Sequence, residues 1–61
     1  MKRRDIVKIY EDPITCKKLE GIAKLYRRHD TALEGCERWD VVFLGEGDRS
    51  TYVREVNLTN H

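Results

Sequence analysis

The sequence is short of most features that fix a function at sight. Its 61 residues hold one Pro, one Trp, one Phe and two Cys, and neither sign of charge dominates, the formal net charge being +1. No apolar run approaches the roughly 18 to 20 residues of a membrane span, and the basic start Met1-Lys2-Arg3-Arg4 opens onto no signal-peptide core. A soluble, cytoplasmic chain with no membrane partner is therefore expected. Cys16 and Cys36 stand twenty positions apart with no C-x-x-C, and the histidines are His29 and His61, so no zinc pattern is spelled out and no cofactor is expected. A disulfide is sterically conceivable, but without an export signal two small, semi-buried thiols are the simpler reading. Repeats, low-complexity stretches and linkers are also missing. One domain spanning 1–61 follows, ordered over about 5–58, with a basic tail Met1–Arg4 and a polar tail Asn57–His61 as loose ends.

What is present is charge in quantity, 38% of residues, beside 39% hydrophobic ones. A domain of about 60 residues buries only about 60% of the surface its unfolded chain exposes, so the core must be efficient or supported by oligomerisation. A polar catalytic cleft is hard to build around so small a core, and an enzyme is not expected. The charge is unevenly spread: residues 1–29 carry nine Lys/Arg against four Asp/Glu, residues 30–61 three against seven. Kept on separate faces, the basic half suits phosphate or an acidic protein; interleaved as neighbouring strands, the two halves pair with each other.

Three segments read as strands. Ile6-Val7-Lys8-Ile9-Tyr10 crowds β-branched and aromatic residues, with Val7 and Ile9 on one side and Ile6, Lys8 and Tyr10 on the other, and Glu11-Asp12-Pro13 ends it. Glu37 to Leu44 alternates most clearly, Trp39, Val41 and Phe43 lining one face. Gly45 to Arg49 turns the chain, and Ser50 to Val56 returns as the second arm of a hairpin. Trp39, in step with Val41 and Phe43, reads as the largest core side chain.

Residues 14–33 admit two readings. Cys16, Leu19, Ala23, Tyr26 and Leu33 recur at spacings of three, four, three and seven, which suits a helix begun at Asp12-Pro13. Against it stand Gly21 in mid-run and Asp30 on the seam. The rival places a turn from Asp12 to Lys18, a kink or bulge at Gly21 and a strand from Ile22 to Arg28, with Ala23 and Leu25 inward, Lys24 outward and Tyr26 along a rim.

The order strand, turn, Glu20-Gly21-Ile22-Ala23-Lys24-Leu25, variable loop, Trp39-x-Val41-x-Phe43, Gly turn, Tyr52-x-Arg54-x-Val56 resembles the small SH3-like barrels of the Tudor and KOW type over roughly residues 5–56. That resemblance favours the strand reading. The expected fold is all-β, an SH3-like barrel or strongly bent antiparallel sheet of four to five strands; the alternative is a βαββ arrangement with a helix at about 13–33. The sequence departs from the Tudor pattern in lacking clustered aromatics for a methyl-lysine cage, and from the KOW pattern in lacking a Lys/Arg run on the return hairpin.

The carboxylate pairs read as solvated turn residues, and Cys16 or Cys36 with His29 offers a nucleophile and a base but no third group. One basic and aromatic set stands out: Lys17, Lys18, Lys24, Tyr26, Arg27 and Arg28. On a strand, Lys24, Tyr26 and Arg28 would point the same way, two cations flanking one ring, which suits a single-stranded nucleic acid. A solvated face balanced by Asp40 or Glu55 is the plainer reading. The expected function is a non-catalytic binding module whose partner is a nucleic acid or another protein, the latter through exposed Tyr10 and Tyr52 or a strand edge that could also build a homo-oligomer.

Overall fold

The computed structural model describes residues 1–45 and 50–59. Within them the chain forms four strands, β1 (Ile6–Tyr10), β2 (Leu19–Arg28), β3 (Cys36–Phe43) and β4 (Tyr52–Asn57), and no helix. They pair antiparallel in the order β1-β2-β3-β4, a meander in which each strand turns back on the one before. The sheet bends until its two outer strands, β1 and β4, come into contact. No ladder joins them, so the expected barrel is not closed and the strongly bent sheet is what forms. It is compatible with an SH3-like architecture.

Alternation explains which side is buried. Val7 and Ile9 of β1, Ala23 and Leu25 of β2, Trp39, Val41 and Phe43 of β3, and Val56 of β4 meet on the inner face as one cluster. Fully burying an aliphatic or aromatic side chain of this size contributes about 1.5 to 3 kcal/mol. Trp39 is 4% exposed, in keeping with a core role, and its indole Nε1 donates to Glu37 Oε1 at 2.9 Å, so the ring's polar atom has a partner. No polar or charged residue is buried among those described.

The undecided stretch resolves into a turn followed by a strand. Asp12 Oδ1 accepts from the backbone N–H groups of Ile14 (2.9 Å) and Thr15 (3.3 Å), and the Cys16 amide donates to the Asp12 carbonyl. This is one helical turn, capped as the Asp12-Pro13 signal predicts. It stops at Cys16, whose φ of 54° is left-handed. From Leu19 the chain is extended. Gly21 sits opposite Ile9, where an added Cβ would lie 2.9 Å from Phe43 Cδ1, so the phenyl ring occupies the space a side chain would need. The ladder with β1 slips beside it, as Tyr10 pairs with Leu19 and leaves Glu20 surplus.

A second irregularity has no counterpart in the sequence pattern. Leu25 pairs with Val41 but Arg27 pairs with Asp40, so Tyr26 is an extra residue in β2. The N-terminal residues also differ from the loose tail expected of them. Met1 packs against the core, the Arg4 amide donates to the Leu25 carbonyl at 2.8 Å, and the Leu25 amide donates to the Asp5 carbonyl at 2.9 Å. The expected turn at Gly45–Arg49 lies mostly outside the described residues, as do the last two residues of the polar tail.

Candidate nucleic-acid interface

The outer face of the sheet carries Ile6 and Lys8 of β1, Ile22 and Lys24 of β2, and Val42 of β3, with Lys24 between Ile6 and Val42 in the register. Tyr26 opens onto this side. Its ring borders one shallow depression with Lys24, Val42 and Leu44, and a second with Arg3, Arg27, Asp40 and Thr51. It is 44% exposed, enough to offer a ring face to a ligand.

The bulge corrects the expected alternation. A regular strand would set Arg28 beside Lys24 and Tyr26, but with one residue surplus it is Arg27 that joins them, opposite outward-facing Asp40. Arg28 instead stands opposite Trp39, on the inner-face parity at the exposed end of the strand. Lys17 and Lys18 are not part of this group. They precede β2, with Lys18 Nζ 3.6 Å from Glu11 and the Lys18 carbonyl accepting from the Glu11 amide. At about 3.3 Å per residue, the nine positions from Lys18 to Arg27 span on the order of 30 Å of chain.

In their place the fold supplies Arg3 and Arg4. The antiparallel register that sets Ile6 opposite Lys24 carries the chain before Ile6 alongside the end of β2. The Arg3 guanidinium lies 5.8 Å from the centroid of the Tyr26 ring, a cation–π contact. The signal is latent in the sequence, since any basic segment leading into an antiparallel strand must run beside its partner's far end. Only the register makes it readable.

Asp40 tempers the charge. Its Oδ2 lies 3.4 Å from Arg27 Nε and its Oδ1 accepts from His29 Nε2 at 2.8 Å, and these contacts, the His29 bond first, hold its carboxyl below the usual range. The pairing of basic and acidic halves across the sheet is thus partly realised here; Arg54 with Glu20 also joins the two halves, with the signs reversed, while Arg38 with Glu55 pairs within the second. Of the cations around Tyr26, only Arg27 contacts a carboxylate among the described residues; Arg3 and Lys24 have no such ion pair there.

The other two tyrosines lie elsewhere. Tyr52 packs against Phe43 with ring centroids 5.7 Å apart, and the Arg54 guanidinium sits 5.3 Å from its centroid. Tyr10 lines a cleft with Glu11, Pro13, Glu20 and Arg54, where β1 and the start of β2 approach β4. The three rings therefore do not form one cage. His29 is committed to Asp40, and neither Cys16 nor Cys36 is among its hydrogen-bond partners. No group of three His, Cys, Asp or Glu among the described residues is placed to hold a metal ion, and no helix there is long and apolar enough to cross a membrane. Comparison with protein-family models, curated proteins and solved structures finds no match to this chain.

Proposed function

We propose that the chain is a non-catalytic binding module for single-stranded nucleic acid, contacted on the outer sheet face around Tyr26. One observation carries this reading: the basic N-terminal residues fold back onto the ring-bearing bulge, so that Arg3, Lys24 and Arg27 flank one half-exposed tyrosine, with the Arg4 backbone fastened to Leu25 beside it. A base stacks on Tyr26 while phosphates meet the flanking cations, the combination on which sequence-tolerant single-strand binding rests. Val42 and Leu44 border the same depression and supply an apolar floor for the base.

The test is titration of a fluorescent single-stranded oligonucleotide at several salt concentrations, with Tyr26→Ala beside the parent. Log affinity should fall by about 0.7 per neutralised phosphate for each tenfold rise in salt. Loss of the ring should weaken binding by about 1 to 3 kcal/mol. Binding indifferent to salt, or unchanged in Tyr26→Ala, overturns the proposal.

A second reading has its own support. Ile6, Ile22 and Leu44 are each about half exposed on the outer face, an aliphatic surface better suited to protein than to phosphate. A partner for it would carry carboxylates among apolar residues, since Lys24 sits amid the aliphatic side chains and a second copy would set lysine against lysine. Ile22→Glu separates the two readings: it should abolish protein docking and leave salt-dependent oligonucleotide binding weakened only modestly.

A further inference from the structure

The two cysteines, far apart in sequence, are brought to one place by the crossing of the β1–β2 connection over the end of β4. Cys16 Sγ contacts the Pro13 carbonyl oxygen at 3.5 Å, and Asn57 Nδ2 donates to that same oxygen at 3.0 Å. Asn57 in turn is the cross-strand partner of Cys36. Residues directly opposite in an antiparallel pair have Cβ atoms about 4.5 to 5.5 Å apart. The chain from Cys16 to Cys36 thus passes through one shared carbonyl and one ladder rung. Neither cysteine is in a disulfide.

We infer that Cys16 and Cys36 form an oxidation site, closing an intramolecular disulfide that ties the β1–β2 connection to the start of β3. The two sulfurs differ in a way that orders the reaction. Cys16 is partly exposed and sits in a surface turn at a left-handed φ, outside any ladder, so it is this segment and not the β3 rung that adjusts to disulfide geometry. Cys36 is buried, and burial together with the nearby Glu55 and Cys16 charges pushes its thiol pKa up. Cys16 therefore attacks first and Cys36 resolves.

With a low-molecular-weight disulfide such as oxidised glutathione as the oxidant, the electrons balance in two exchanges. The Cys16 thiolate attacks one glutathione sulfur, the glutathione S–S bond breaks, and one glutathione thiolate leaves. The Cys36 thiolate then attacks Cys16 Sγ, the mixed disulfide breaks, and the second glutathione thiolate leaves. The protein thiols are oxidised by two electrons, glutathione disulfide is reduced to two thiols, and the two protons given up by the cysteines end on the departing glutathiones.

Nothing in this depends on the nucleic-acid reading. The experiment treats the folded full chain with oxidised glutathione and follows intact mass under non-reducing conditions. Expected are a monomer lighter by two hydrogens, a protease peptide joining the Cys16 and Cys36 segments, and a thermal midpoint raised on the order of 10 °C by closure of the loop. Closure should be faster in buffer than in strong denaturant. In Cys36→Ser, glutathione should remain on Cys16 as a stable mixed disulfide, since the resolving thiol is gone. The inference is overturned if the parent chain ends with glutathione on both cysteines, if the product is a linked dimer, if Cys36 stays a free thiol, or if closure is no faster folded than unfolded. Should Cys36→Ser fail to fold, the parent's mass, linked peptide and relative rates still decide.

Discussion

Arg54 of β4 and Glu20 of β2 are separated by a whole strand, yet they share a two-pronged ion pair, with Nε donating to Oε1 at 2.9 Å and Nη2 to Oε2 at 2.7 Å. The surplus position of Glu20 beside Gly21 and the bend of the sheet make the pairing possible. The same guanidinium stacks 5.7 Å from the Phe43 centroid and 5.3 Å from that of Tyr52 and donates to the Val53 carbonyl. It is a clasp over the inner face, reaching across β3.

Cutting the clasp by charge alone should cost little, because both side chains are about one-third exposed. Glu20→Gln is expected to lower unfolding free energy by about 0.2 to 1 kcal/mol in urea titrations. Arg54→Ala should cost more, since it also uncovers two aromatic rings.

Acid should weaken the fold through three carboxylates whose pKa values are held low. Hydrogen bonds from Arg54 lower Glu20, backbone amides of Ile14 and then Thr15 lower Asp12, and His29 and then Arg27 lower Asp40. A folded value below the unfolded one stabilises at pH above the unfolded value and is lost as pH falls through the folded one. The urea midpoint should therefore hold near neutrality and drop below about pH 4. Glu20→Gln and Asp40→Asn should each flatten part of that drop.

Gly21→Ala forces a methyl group to within 2.9 Å of a buried ring carbon. Phe43 must move, and overpacking of this kind costs about 1 to 3 kcal/mol. Denaturant titration should show a lower midpoint with an unchanged slope.

Trp39→Ala removes the largest core side chain, an expected loss of about 3 to 5 kcal/mol. In a chain this small that approaches the whole of its stability, so the cooperative transition seen by circular dichroism should disappear at room temperature.

Arg3→Ala with Arg4→Ala should cost no more than about 1 kcal/mol, because Arg4 is fastened through its backbone amide and the Arg3 cation–π contact lies at an exposed site. Single-strand affinity should fall, and the salt slope should shrink by about 0.7 for each phosphate that is no longer neutralised. An unchanged slope would remove the N-terminal arginines from the interface.

Strands β1, β3 and β4 are readable from sequence because β1 crowds β-branched and aromatic residues, β3 alternates with Trp39, Val41 and Phe43 on one face, and β4 returns from a glycine-containing turn. Residues 14–33 are ambiguous for a physical reason: the helix signal at Asp12-Pro13 is genuine and builds a single turn, which the left-handed Cys16 then ends. Gly21 decides for strand only through its packing against Phe43, which no local pattern contains. The candidate site is half legible. Lys24, Tyr26 and Arg27 do share a surface, whereas the displacement of Arg28 and the recruitment of Arg3 and Arg4 depend on register, and pairing between distant segments leaves little trace in either one alone.

That extra position in β2 has an unusual arithmetic. Leu25 faces in and Arg27 faces out, which is the order two adjacent residues of an ordinary strand would adopt. Excising Tyr26 altogether would thus splice Leu25 to Arg27 with every other side chain still on its own side, and the hydrogen-bond ladder would run straight through. The ring is a passenger that the architecture carries without needing, and its removal is a subtraction of aromatic surface from an otherwise intact sheet.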